Sequence, residues 1–98
     1  MGLMNNINEP TRQIHSEIVR VGKLAVQLPN HVEASWVQFM HEHDTATVYY
    51  GGSNISLENG FGALANTDTS ERYPVHNTDK FWVISDTDDV LLKILWGE

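Results

Sequence analysis

The feature that most constrains this chain is a C-terminal stretch that is apolar on both faces of any strand it forms. Lys80-Phe81-Trp82-Val83-Ile84-Ser85 and Val90-Leu91-Leu92-Lys93-Ile94-Leu95-Trp96 are two β-rich runs separated by Asp86-Thr87-Asp88-Asp89, a spacing that predicts a β-hairpin. Val90, Leu92, Ile94 and Trp96 form one continuous apolar face at period two, while Leu91 and Leu95 make the opposite face mostly apolar too. A sandwich strand normally keeps one wet face. Such a pair therefore sits centrally with both faces covered, or another chain buries one of them. With 98 residues in all, two internal covers are hard to supply. Trp82, Leu91 and Leu95 are accordingly expected in an interface with another polypeptide.

The same period runs upstream. Ile14, Ser16, Ile18 and Arg20 lie on one side and His15, Glu17, Val19 and Val21 on the other. Leu24, Val26 and Leu28 alternate with polar or small residues until Pro29-Asn30 stops the run, and Gly22 marks a turn or bulge between the two strands. Residues 33–41 place Ser35, Val37, Phe39 and His41 opposite Ala34, Trp36, Gln38 and Met40. No Gly or Pro forbids a helix there, but Val, Trp and Phe favour a pleated surface. Ala46 to Tyr50 is a further strand ended by Gly51-Gly52. Asn59-Gly60 suits positive φ at both central positions of a hairpin or tight loop. The Asn-Thr-Asp triplets at 66–68 and 77–79 hold turns, and Tyr73-Pro74-Val75 belongs near a sheet edge because proline cannot donate to a ladder.

Six to eight short strands with regular turn signals give an all-β class: a small antiparallel β-sandwich (jelly-roll-like) or barrel. No segment sustains a 3.6-residue period, which disfavours all-α and βαβ folds. Residues 1–10 have no period and end in Pro10, so they read as an extended N-terminal arm on a single domain over 11–98. Leu3, Met4 and Ile7 have no element of their own to bury them and are expected to dock on a neighbouring subunit.

Charge and composition narrow the function. Six basic against thirteen acidic residues give a formal net charge of -7, so nucleic acid and anionic lipid are poor partners. No cysteine means no disulfide framework, thiolate zinc site or cysteine nucleophile. No apolar run approaches the ~20 residues of a membrane span. The first residues lack the charge and apolar core of a secretory signal, and Asn6 stands where myristoylation wants Ser or Thr, which points to a cytoplasmic product or a particle assembled there.

Two clusters invite a metal. His41 and His43 project to one side of a strand, a spacing that can chelate zinc, but the sequence shows no third ligand and the pair suits a polar strand-to-turn junction. Asp86, Asp88 and Asp89 offer calcium three carboxylates, yet the glycine and further acids of an EF-hand loop are missing, and a solvated turn that deters edge association explains them. Gly51-Gly52-Ser53-Asn54-Ile55 is neither a nucleophile elbow nor a phosphate loop. No enzyme and no cofactor is expected.

Residues from about Thr47 to Trp96 resemble small β-sandwich virion proteins of tailed bacteriophages, of the capsid decoration or cement type. The matching residues are Val48-Tyr49-Tyr50-Gly51-Gly52-Ser53-Asn54-Ile55, Asn59-Gly60, Leu64, Tyr73-Pro74-Val75, Lys80 to Ser85 and Val90 to Leu95. The resemblance implies a structural role on the capsid or within the tail, and it carries no functional residue with it. The expectation is a decoration protein on the outer surface of the virion, bound to the major capsid protein and forming a homotrimer, with the arm clamping a neighbour. The alternative is a carbohydrate- or receptor-binding module of a tail or fibre, in which Trp36 or Tyr50 stacks on sugar rings.

Overall fold

A computed structural model describes residues 13–98, so the expected arm, with Leu3, Met4 and Ile7, lies outside the described residues. The chain is all-β. Its strands are β1 (Ile14–Val21), β2 (Val26–Gln27), β3 (Trp36–His41), β4 (Val48–Gly51), β5 (Gly62–Leu64), β6 (Tyr73–Pro74), β7 (Trp82–Ser85) and β8 (Val90–Gly97). They form two antiparallel four-stranded sheets in the orders β1-β8-β3-β6 and β2-β7-β4-β5, a small β-sandwich. A 3-10 turn over Thr78–Lys80 leads into β7, capped by the Asn77 side chain, which accepts from the Asp79 N–H.

Alternation decides what lies between the sheets. Val21, Val37, Phe39, Val90, Leu92, Ile94 and Trp96 point inward from the first sheet, and Val48, Tyr50, Leu64 and Val83 from the second. Every one of them is buried. At one end of this core Phe39, Tyr50, Tyr73 and Phe81 form an aromatic cluster, with ring centroids 4.9 Å apart for Phe39–Tyr50 and 5.2 Å for Phe39–Phe81. The hydroxyls of Tyr50 and Tyr73 lie 2.7 Å apart and tie the two sheets together.

The C-terminal hairpin does not form. β7 lies between β2 and β4, β8 lies between β1 and β3, and the two strands belong to different sheets. Asp86–Asp89 is thus a corner that carries the chain across the sandwich. At that corner the Ser85 N–H donates to Gly22 O (2.8 Å), the Asp86 N–H donates to Thr47 O (3.2 Å), and Asp89 takes a φ of 60°. The physical reason is that a strand with two apolar faces is best placed at the centre of a sheet. Two such strands, one per sheet, bury their inner faces against each other, whereas a hairpin would set all their outer residues side by side in water.

Asn59-Gly60 also departs from expectation, since neither residue has positive φ. The loop between β4 and β5 is closed instead by the Asn59 side chain, whose Oδ1 accepts from the Ser56 N–H (2.6 Å) and whose Nδ2 donates to Asn54 O (3.0 Å).

Candidate interaction face and its surroundings

The outward residues of the β1-β8-β3-β6 sheet form a mostly apolar surface. Pairing sets Ile14 beside Gly97 and Trp36, Ser16 beside Leu95 and Gln38, Ile18 beside Lys93 and Met40, and Arg20 beside Leu91. Ile14 is 63% exposed, Ile18 59% and Leu91 45%. The charges on this face are already matched: Arg20 Nη1 lies 3.1 Å from Asp89, Lys93 Nζ lies 2.9 Å from Glu42, and the Arg72 guanidinium sits 4.1 Å above the Trp36 ring. Two shallow hollows flank Lys93. One, of about 280 Å³, is lined by Ile18, Leu91, Glu42 and His43; the other, of about 300 Å³, by Ser16, Gln38, Met40 and Leu95.

The expected interface residues therefore separate. Leu91 and Leu95 share this face, whereas Trp82 pairs with Gln27 and Gly51 on the outer side of the opposite sheet. Ile14, Ile18 and Met40 belong with Leu91 and Leu95. Their parity was visible in the sequence, but which strands adjoin β8 was not.

Neither metal candidate assembles. His41 is fully buried, its Nε2–H donating to Leu64 O (2.7 Å) and its Nδ1 accepting from the His43 N–H (3.2 Å). His43 Nδ1 in turn accepts from the Thr45 and Ala46 N–H groups. These rings close the turn after β3. The three aspartates diverge: Asp86 Oδ1 accepts from the Thr47 N–H (3.0 Å), Asp88 from the Lys23 N–H (3.2 Å), and Asp89 pairs with Arg20. Hydrogen bonding by the Thr47 N–H, opposed by slight burial and reinforced by the Thr87 hydroxyl, holds the Asp86 carboxyl below its ordinary value.

A histidine–tryptophan stack escaped the sequence reading. His15 and His31 lie against opposite faces of Trp96, at centroid distances of 4.2 and 4.3 Å. Each histidine Nε2 also meets a carboxylate, His15 with Glu98 at 3.0 Å and His31 with Glu17 at 2.6 Å. The buried indole N–H has no partner among the described residues. This stack closes the end of the sandwich away from the corner, and its members come from β1, β8 and the β2–β3 loop.

No protein-family model and no curated protein matches the chain. Among solved structures it is similar to a chain of the Bacillus endospore appendages, described as a novel family of disulfide-linked pili, with a TM-score of 0.41 and 9% identity over 96% of each chain. A likeness of that size carries no argument about what this chain does.

Proposed function

We propose that this chain is a non-catalytic structural module that docks the outer face of its β1-β8-β3-β6 sheet on another polypeptide. The observation that carries the reading is the run of exposed Ile14, Ile18 and Leu91 on adjacent strands, with half-buried Leu95 beside them on β8, Met40 beyond Lys93 on β3, and the charges of Arg20 and Lys93 already paired. A contiguous apolar surface with a matched polar margin is the make-up of an interface. The assembly proposed is a phage capsid, with the chain decorating the major capsid shell; support for that setting is the sequence resemblance over Thr47–Trp96. The sugar-binding alternative is less well served, because Tyr50 is only 5% exposed and the face of Trp36 is already covered by the Arg72 guanidinium.

The test is co-sedimentation of the purified chain with shells assembled from a major capsid protein of the genome that encodes it. Saturable binding is expected, and it should be abolished by Ile18→Glu together with Leu91→Glu in a chain whose thermal melt is unchanged. Binding indifferent to both charges would overturn the choice of face. A chain that never binds the shell would overturn the capsid setting.

A further inference from the structure

β1 is the edge strand of its sheet among the described residues, and its two charged residues, Glu17 and Arg20, are each paired within the chain. It runs for eight residues, Ile14–Val21, without a proline, glycine or lysine. The Glu98 N–H donates to Gln13 O, so the odd-numbered residues of β1 exchange backbone bonds with β8. The even-numbered residues Ile14, Ser16, Ile18 and Arg20 therefore aim their N–H and C=O groups away from the sheet, where no strand of the described residues pairs with them.

The residues on this edge are complementary to themselves when reversed. About Ser16 the strand reads Ile14-His15-Ser16-Glu17-Ile18. Antiparallel pairing with a second copy across a two-fold axis at Ser16 sets Ile14 opposite Ile18 of the other copy, twice, on the outer face. It also sets His15 opposite Glu17 of the other copy, twice, on the inner face. Ser16 meets its own symmetry mate. The parity is right: the even residues become the hydrogen-bonded pairs, and the odd ones become the close pairs where side chains interact most strongly. Sliding the register by two residues toward Val21 would put Glu17 against its own copy, and like charges directly opposite are destabilising. His15 and Glu17 each engage one intrachain partner at a single atom, Nε2 with Glu98 and Oε1 with His31.

We infer that the free edge of β1 pairs with β1 of a second copy, centred on Ser16, joining two sheets into one continuous eight-stranded sheet. This goes beyond the docking reading, which concerns the outer face and not the edge, and it puts a pair where the family resemblance led to a trimer. The joined sheets would present two copies of the Ile14–Ile18–Leu91 surface side by side.

The test uses single cysteines in a chain that has none. Directly opposed hydrogen-bonded residues have Cα atoms about 5.5 Å apart, within the ~4.4–6.8 Å that a disulfide spans. Ser16→Cys should cross-link to a dimer under mild oxidation at least tenfold faster than Ile18→Cys, a control that is also exposed and is placed opposite Ile14. Light scattering of the unmodified chain should give twice 11.1 kDa at high concentration. Equal cross-linking rates, a monomer mass throughout, or a trimer mass would each overturn the inference. Shell binding is measured separately, so a monomer that still decorates shells would sink the edge pairing and leave the docking face standing.

Discussion

Two glycines on strands offer a contrast that tests how rigidly the aromatic cluster is held. Gly62 lies opposite Tyr50 in the β4–β5 ladder, and a methyl group there would fall 2.6 Å from Tyr50 Cε2 and nearer still to Cζ and the hydroxyl. Gly97 lies opposite Trp36, and a methyl there would come within 2.5 Å of the indole carbons. Neither glycine has positive φ, so the cost of Gly→Ala at both is steric. The two rings differ in freedom. Tyr50 is pinned by Phe39, Phe81 and the Tyr73 hydroxyl, and expelling it would expose roughly 150 Å² at ~25 cal/mol per Å², or about 4 kcal/mol. Detaching the short edge strand β5 is cheaper: it releases chiefly Leu64, at about 2–3 kcal/mol. The cheaper route sets the cost of Gly62→Ala. Trp36 is a half-exposed surface ring that can swing aside, losing the Arg72 contact at about 0.5–1 kcal/mol. Alanine recovers a similar amount through its better strand propensity. Gly62→Ala should therefore lower the melting temperature by roughly 10 °C or more and Gly97→Ala by less than about 5 °C, at ~4–8 °C per kcal/mol for a domain of this size. Circular dichroism melts and urea titrations read both. A Gly62→Ala variant within about 1 kcal/mol of the parent, or one more stable than Gly97→Ala, would refute the claim that Tyr50 cannot yield.

Three further outcomes follow from the same structure. Burial, and then the bond to Tyr73, push the Tyr50 phenol well above its ordinary value, which favours its neutral form in the folded state. That stabilisation is complete below the unfolded tyrosine value of about 10 and is lost as pH rises beyond it; an alkaline absorbance titration should show at least one tyrosine ionising only on unfolding, and Tyr50→Phe should remove that late step. For Asp86 the sign is opposite: its lowered carboxyl stabilises the corner above about pH 4 and ceases to as pH falls through the folded value. Asp86→Ala should cost about 1 kcal/mol at neutral pH through the lost acceptor for Thr47 and flatten the acid limb of a stability profile. His31→Ala removes one face of the Trp96 stack and the Glu17 bond, for about 1–2 kcal/mol by urea denaturation; no loss would show that the stack is incidental.

The residues of this chain declare parity well and neighbourhood badly. Alternation in 14–21, 36–41 and 90–96 correctly divides Val37 from Trp36 and Leu92 from Leu91, because the side-chain period of a strand is a local property. The error over residues 80–96 was of another kind. A four-residue acidic link between two apolar strands suits both a hairpin and a sheet-to-sheet corner, and the choice depends on which edges β2, β4, β1 and β3 have already filled. The same gap hid the His15–Trp96–His31 stack, whose members are far apart in sequence and meet only when β1 pairs with β8 and the β2–β3 loop folds over them.

The observed topology moves the proposed docking surface to one sheet. Had β7 and β8 formed a hairpin, Trp82, Leu91 and Leu95 would have made one greasy surface, and a single cover would have served. Split between two sheets, the apolar excess is absorbed unequally. Ile84, on the outer side of β7, is only 7% exposed within the chain, whereas Leu91 stays 45% exposed on β8. Among the described residues the outer face of the β1-β8-β3-β6 sheet keeps Ile14, Ile18 and Leu91 exposed, and β1, at its margin, holds out four backbone positions that no strand of the described residues pairs. Burying the face removes apolar area from water, and capping the edge satisfies polar groups. Ile18 takes part in both contacts, but Leu91 lies on β8 and away from the edge. Leu91→Glu alone should therefore weaken shell binding while leaving disulfide formation at a Ser16→Cys edge measurable.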